Sequence, residues 1–237
     1  MLLAYKQILE LIDAGVVTNV DKSLINSASL DIRLGPKVLI EHCKIGDDGK
    51  RSLGRVVLKD KQELQMREYD LSKDGPLVLF PGEFILAHSI EIFNLPNTIS
   101  AEYKLKSSMA RIGLEHLNAG WCDAGWHGSV LTLELQNITR GHEIVLNYMD
   151  KIGQMVFFKH QEVPSDKSYA IRGRYNNNRT VSGIRPDPER AVIFGDDKEE
   201  EEAELYALNH PAVPDVELLE PSKKNLIIDV ETEEEEK

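Results

Sequence analysis

The spacing of its turn residues constrains this chain more than any other feature. Gly, Pro, Asn or Asp recurs at Gly35-Pro36, Asp47-Asp48-Gly49, Pro81-Gly82, Pro96-Asn97, Asp123 to Gly128 and Gly141, which cuts the sequence into segments too short for most helices. The segments themselves alternate. Ser27 to Leu34 (SASLDIRL) sets Ala28, Leu30, Ile32 and Leu34 on one side and Ser29, Asp31 and Arg33 on the other, the two-residue period of a strand. Further strand candidates are Lys37 to Ile40, Arg55 to Leu58, Leu77 to Phe80, Glu83 to Ala87, Ser100 to Lys104, Ser129 to Gln136, His142 to Leu146 and Gln154 to Lys159. Many short strands joined by tight turns predict a β-sandwich or barrel. Only the start has another period. Leu2, Tyr5, Leu9 and Ile12 recur at three- and four-residue spacing, predicting a short amphipathic helix that ends near Gly15.

Charge divides the chain in two. Its net charge is −12, and residues 196–237 alone hold 16 Asp/Glu against 4 Lys, leaving residues 1–195 with 24 acids and 24 bases. The expected organisation is therefore one β domain over 1–195 and an acidic tail over 196–237. Like charges repel and the tail lacks apolar area to offset ordering entropy, so most of it is predicted to be disordered. Asn225 to Val230 (NLIIDV) is the exception: it reads either as a strand added to a sheet edge or a partner, or as a segment held by local packing. No partner for the tail is assigned. A neutral body has no general attraction for nucleic acid. No apolar run approaches the ~20 residues of a membrane span and no signal peptide is present, so a soluble cytoplasmic protein is expected. Cys43 and Cys122 are expected to be free thiols, since two cysteines outside any ligand spacing make no disulfide framework.

Three clusters can carry chemistry. In Lys106-Ser107-Ser108-Met109-Ala110-Arg111, two hydroxyls between cations can wrap a phosphate, or a serine can simply cap a short helix. In Ala119 to Gly128 (AGWCDAGWHG), glycines allow close approach of backbone to a ligand. There an indole can pack on a sugar or base and Asp123 can accept from a hydroxyl, although a β-turn with buried tryptophans fits the same pattern. In Ser129 to Asn137, alternation sends Leu131, Leu133 and Leu135 one way and Val130, Thr132, Glu134 and Gln136 the other. Glu134 then faces either water or a pocket, where it can act as general acid and base. His116 and His127 lie nearby and are read as surface or packing residues. A zinc deaminase site needs a PCxxC pair that this sequence lacks. His88, Ser89 and Glu91 are not read as a triad, because no nucleophile elbow surrounds them.

Taken in order, SASLDIRLG, FPGEFILAHS, KSSMARIGL, AGWCDAGWHG, TLELQN and KIGQM resemble the dCTP deaminases of the trimeric dUTPase-like superfamily, over about residues 5 to 185. A seventh block, Tyr169 to Arg185, resembles that family's C-terminal arm. The resemblance implies a mainly β fold, a distorted jelly-roll barrel with a short N-terminal helix, assembled as a homotrimer with active sites at subunit interfaces. It implies hydrolysis of the 4-amino group of dCTP without zinc, with Mg2+ held by the triphosphate and no protein metal ligands. Carried over by motif, Glu134 activates water and shuttles its proton, and Ser107 and Arg111 orient water and carboxylate. Lys106, where the family has Arg, meets the phosphates with Ser107 and Ser108. Ala119, Asp123 and Trp126 surround the deoxyribose and base, while Gln154, Tyr169, Arg174 and Asn178 close over the triphosphate. The turn AGWCD looks more like the AGFID of deaminases that also cleave the triphosphate than the HRID of those that stop at dUTP. That implies a product of dUMP, with Asp123 or Asp31 as base for a second water. Also implied are dUTP and dTTP as ligands, dTTP as feedback inhibitor. A plain dUTPase and a non-catalytic nucleotide-binding regulator are the competing readings.

Overall fold

A computed structural model of the chain describes residues 1–42, 44–45, 51–52 and 64–185. The strand predicted at Arg55 to Leu58, Cys43, and the tail with its Asn225 to Val230 segment lie outside the described residues. Strands dominate: β1 (Val17–Thr18), β2 (Leu30–Arg33), β3 (Lys37–Glu41), β4 (Lys44–Ile45), β5 (Arg51–Ser52), β6 (Met66–Asp70), β7 (Leu77–Leu79), β8 (Phe84–Asn94), β9 (Ile99–Leu105), β10 (Leu114–His116), β11 (Trp121–Cys122), β12 (His127–Asn137), β13 (Ile144–Leu146) and β14 (Lys151–Lys159). Three short helices complete the list, α1 (Tyr5–Asp13), α2 (Ser107–Arg111) and α3 (Tyr169–Arg172).

Two antiparallel sheets organise the domain. One runs β10-β12-β8-β3-β6 with β1 also on β8, and the other runs β11-β9-β14-β2. Their inner residues merge into a single core, to which Ile85, Leu133 and Leu135 contribute from the first sheet and Ile32, Tyr103 and Phe157 from the second, all essentially inaccessible to water. Alternation explains why this works in β12, where Leu131, Leu133 and Leu135 turn inward while Thr132, Glu134 and Gln136 keep part of their surface. Gly128 marks the start of the useful part of β12. At φ 66° it takes a conformation that favours glycine, and a Cβ there would lie 2.3 Å from Asn177 Oδ1. The chain thus admits the C-terminal arm at close range.

Several sequence expectations are corrected by local hydrogen bonding. The strand expected from Ser27 begins only at Leu30, because Asn26 N–H donates to Ser29 O and folds residues 26–29 into a turn. The polar side of that strand is not solvated: Asp31 is 5% exposed. The helix expected from Leu2 begins at Tyr5, since Leu2 bridges to Phe158 and extends a sheet instead. The strand begun at Glu83 runs on to Asn94, and β6, β10 and β11 went unrecognised because they are short or rich in polar residues.

Candidate active site

Strand β12 forms one wall of a cleft of about 750 Å3. Thr132 and Glu134 face it from β12, Ala119, Trp121, Cys122 and Asp123 from the glycine-rich turn and β11, and Tyr169, Tyr175 and Asn178 from the arm. Trp126 supplies a fixed wall. Its ring stacks on Phe93 at 5.4 Å, its indole N–H donates to Tyr175 O at 3.1 Å, and it is 6% exposed. The arm is tied down by backbone rather than by charge. Val130 N–H donates to Asn178 O, Asn178 N–H to Ser129 Oγ, and Asn177 N–H to His127 O. The turn residue Asp123 stays exposed and accepts from the Trp121 indole at 2.8 Å.

Glu134 does not face bulk water. Its side chain keeps 24% exposure, yet Oε2 is shut off from solvent and stands 3.3 Å from Nε2 of the buried His116. That is ion-pair distance without hydrogen-bond geometry: Oε2, Nε2 and the Tyr103 hydroxyl are all buried with no hydrogen-bond partner among the described residues. The Tyr103 ring lies 4.6 Å from the His116 ring. Burial first, and then the neighbouring Glu134 charge, push the Tyr103 phenol far above its ordinary range. Cys122 is a free, buried thiol, pushed up by burial and then by the charges of Asp123 and Glu134. The expectation that His116 merely packs omits this contact, which follows from β10 pairing with β12 so that His116 stands opposite Leu135.

The cationic segment lies elsewhere. Lys106 is the N-cap of α2 and neither serine caps it, so the helix-capping reading of Ser107 and Ser108 is not what the structure contains. Ser107, Ser108 and Arg111 are exposed, and none of the four lines the cleft. Lys106 Nζ instead binds Asp31 at 2.6 Å, with Asn26 Nδ2 at 2.8 Å and Lys151 at 3.6 Å from the same carboxylate. Burial raises the Asp31 carboxyl, but the Lys106 and Asn26 hydrogen bonds and the two lysine charges outweigh it and hold the group below its usual range. Gln154 belongs to this group, opposite Asp31 in the sheet and accepting from Ser29 Oγ at 3.1 Å.

The expected site residues fall into separate groups. The structure gathers Glu134, Ala119, Asp123, Trp126, Tyr169 and Asn178 around the cleft, and Lys106 and Gln154 around Asp31, while Ser107, Ser108 and Arg111 stand exposed on α2 outside the cleft. Arg174 joins neither and donates to Arg185 O at 3.0 Å. Sequence reasoning singled out neither Tyr103 nor Tyr175 and read His116 as packing, because an inward tyrosine on β9 and a histidine on β10 look like ordinary core. His88, Ser89 and Glu91 are each engaged separately: His88 Nδ1 with Ser89 O, Ser89 Oγ with Glu91 O, and Glu91 with Arg33 at 2.7 Å. Among the described residues no group of three or more His, Cys, Asp or Glu comes together as a metal site, and no helix is long and apolar enough to cross a membrane.

The fold is all-antiparallel in its two main sheets, with the Glu134 carboxylate set into a cleft beside the arm. A family model described as dCTP deaminase-like matches residues 2–160, and the chain belongs to that family. Proteins named "dCTP deaminase, dUMP-forming" from Methanosphaerula palustris and Nanoarchaeum equitans are 31% and 34% identical to it. These alignments cover 77% and 73% of this chain and 94% and 90% of the relatives. The fold is similar to the crystal structure of 2'-deoxycytidine 5'-triphosphate deaminase from Agrobacterium tumefaciens, with TM-score 0.51 and 24% identity. That match covers 67% of this chain and 48% of the other, so this chain spans about half the length of that protein.

Proposed function

We propose that the chain deaminates dCTP by direct attack of water and releases dUMP, with Glu134 as the acid and base. The observation that carries this reading is the placement of Glu134: a carboxylate with one oxygen sealed from solvent at 3.3 Å from His116, and the rest of its side chain facing the cleft. Bulk water, with a pKa of about 15.7, is a poor nucleophile until a base takes its proton. Glu134 removes that proton as the oxygen adds to C4 of the cytosine. Glu134 delivers that proton to the N3 ring nitrogen, then takes the second proton from the hydroxyl now on C4 and passes it to the amine, so that the C4–N bond breaks, ammonia leaves, and the oxygen remains as the carbonyl of uracil.

The second step adds water to the α-phosphorus and expels pyrophosphate. Of the two carboxylates considered for it, Asp123 fits and Asp31 does not. Asp31 is already bound by Lys106 and Asn26 and held below its usual range, which makes it a weak base. Asp123 is exposed at the cleft with a single indole donor. Both relatives are named as dUMP-forming, which supports the two-step product. Magnesium carried by the triphosphate would neutralise phosphate charge, beside Lys106 and Lys151, the cations that flank Asp31.

The separation of half-sites supports a shared site in a homotrimer. Ser107 and Arg111 are exposed and outside the cleft of their own chain, so they are available to orient the water and carboxylate of a neighbour. Lys106, Ser108 and Gln154 would then meet the triphosphate, with Tyr169, Asn178 and Arg174 closing from the arm. Separation of products formed from dCTP tests the reading. Ammonia, dUMP and pyrophosphate should rise together without a dUTP lag. Accumulation of dUTP alone removes the second step, and turnover of dUTP without ammonia release from dCTP removes the first.

A further inference from the structure

His116 is the only group within ion-pair reach of the carboxylate that carries the proposed reaction, among the described residues. Its surroundings are specific. Gly153 of β14 has no side chain, and a Cβ there would lie 2.1 Å from the Tyr103 ring; the ring therefore occupies the space that any other residue at 153 would fill. Tyr103 in turn faces the His116 imidazole at 4.6 Å with the planes tilted by 58°. His116 is 5% exposed and Tyr103 1%. A glycine, a phenol and an imidazole thus make a continuous buried support, ending on Glu134 Oε2.

Buried polar atoms are normally satisfied, and three lacking partners within one cluster are costly unless the arrangement serves another purpose. Here the three atoms, Tyr103 Oη, His116 Nε2 and Glu134 Oε2, belong to the residues that surround the reacting carboxylate. Apo sites commonly hold catalytic hydrogen bonds long or misaligned, to be tightened when substrate binds. We propose that His116 is a positioning residue for Glu134: in its Nε2–H tautomer it donates to Oε2, keeps that oxygen ionised and still, and leaves the other oxygen to accept the proton of water. The idea rests on the reading of Glu134 as the proton acceptor. The titratable groups shown against His116 are Glu134 from β12 and Tyr103 from β9, while Glu115, its neighbour on β10, points to solvent. Because the Tyr103 phenol is pushed far above its usual range, Glu134 is the charged group that His116 can meet.

The test uses the full chain and three variants. His116→Phe keeps a ring against Tyr103 and removes the donor; kcat should fall about 10- to 100-fold with KM for dCTP little changed, the range expected for a lost charge-assisted hydrogen bond. His116→Gln, whose amide nitrogen reaches about as far as Nε2, should recover most of kcat. Wild-type kcat in a folded His116→Phe would overturn the proposal and leave His116 as packing. Should that variant fail to fold, nitrogen NMR of the His116 ring decides: the Nε2 resonance should shift when Glu134 is replaced by Gln, and an unchanged resonance overturns the proposal. Failure of the underlying reading looks different, because Glu134→Gln would then retain full deamination whatever His116 did.

Discussion

The two polar regions of this fold differ in how their charges are held. Around Asp31 the carboxylate is engaged within the chain: Lys106 and Lys151 offset its charge, Asn26 donates to it, and the group is held below its usual range. Around Glu134 the reverse holds, with Oε2, His116 Nε2 and Tyr103 Oη brought together and none of them bonded within the described residues. The first arrangement is complete and rigid, suited to fixing cations at a surface. The second is incomplete, suited to a ligand and to groups from outside the chain. The contrast teaches that the carboxylate proposed as acid and base and the cations proposed to serve it lie on different parts of one chain, and it can be broken or sharpened by substitution.

The largest effect is expected at the incomplete end. Glu134→Gln preserves shape and removes the base, so deamination should fall by at least ~10²-fold while nucleotide still binds. Stopped assays of ammonia together with equilibrium binding of dCTP check both halves. Near-normal turnover would return Glu134 to an ordinary pocket-lining residue. At the complete end, Lys106→Gln should raise KM for dCTP about 10- to 100-fold with a smaller change in kcat, because a charged donor to phosphate is lost and its partner Asp31 is released. Steady-state kinetics separate the two parameters. A loss confined to kcat would move Lys106 from binding to chemistry.

Smaller effects test the scaffold. Gly153→Ala forces a methyl group into the Tyr103 ring, and overpacking of this kind costs about 1–3 kcal/mol. Denaturant unfolding should report that loss, and kcat should drop with it because Tyr103 supports His116. The smallest effect is a pH limb. Burial lowers the His88 pKa; its Nδ1 donates to Ser89 O and its Nε2 accepts from Lys37 N–H. The unfolded chain therefore takes up a proton below about pH 6.5 that the folded chain refuses, so stability falls as pH drops through that value until the lower folded pKa is passed. His88→Gln should flatten this limb relative to the parent chain in unfolding measured from pH 7.5 to 5. An unchanged limb would assign it to another group.

The fold was readable because its signals are local. Turn residues at Gly35-Pro36, Pro81-Gly82 and Gly141 bound strands that exist, and alternation in β12 placed Leu131, Leu133 and Leu135 inward. Expectation failed where a distant partner decides. Asp31 reads as a candidate base on the polar side of its strand until Lys106, 75 positions away, is brought to it. His116 and Tyr103 read as core until the pairing of β10 with β12 and of β14 with β9 sets them beside Glu134 and Gly153. Glu134, Asp123, Trp126, Tyr169 and Asn178 line one cleft while Ser107 and Arg111 stand outside it, a separation that strand alternation alone does not reveal. Arg174 shows the same limit on a smaller scale, since its contact with Arg185 depends on how the arm folds back on itself.

The central claim is that the two half-sites complete one another between subunits, and mixing two inactive variants tests it most directly. Glu134→Gln lacks the base and retains Arg111; Arg111→Gln lacks the orienting cation and retains Glu134. Each alone should be almost inactive. Unfolded together and refolded as an equal mixture, they should assemble trimers in which some sites draw Glu134 from one subunit and Arg111 from another, restoring about one quarter of wild-type activity if subunits combine at random. A mixture no more active than its components, in trimers demonstrated to contain both variants, would contradict the account and place Glu134 and Arg111 in the same subunit's site.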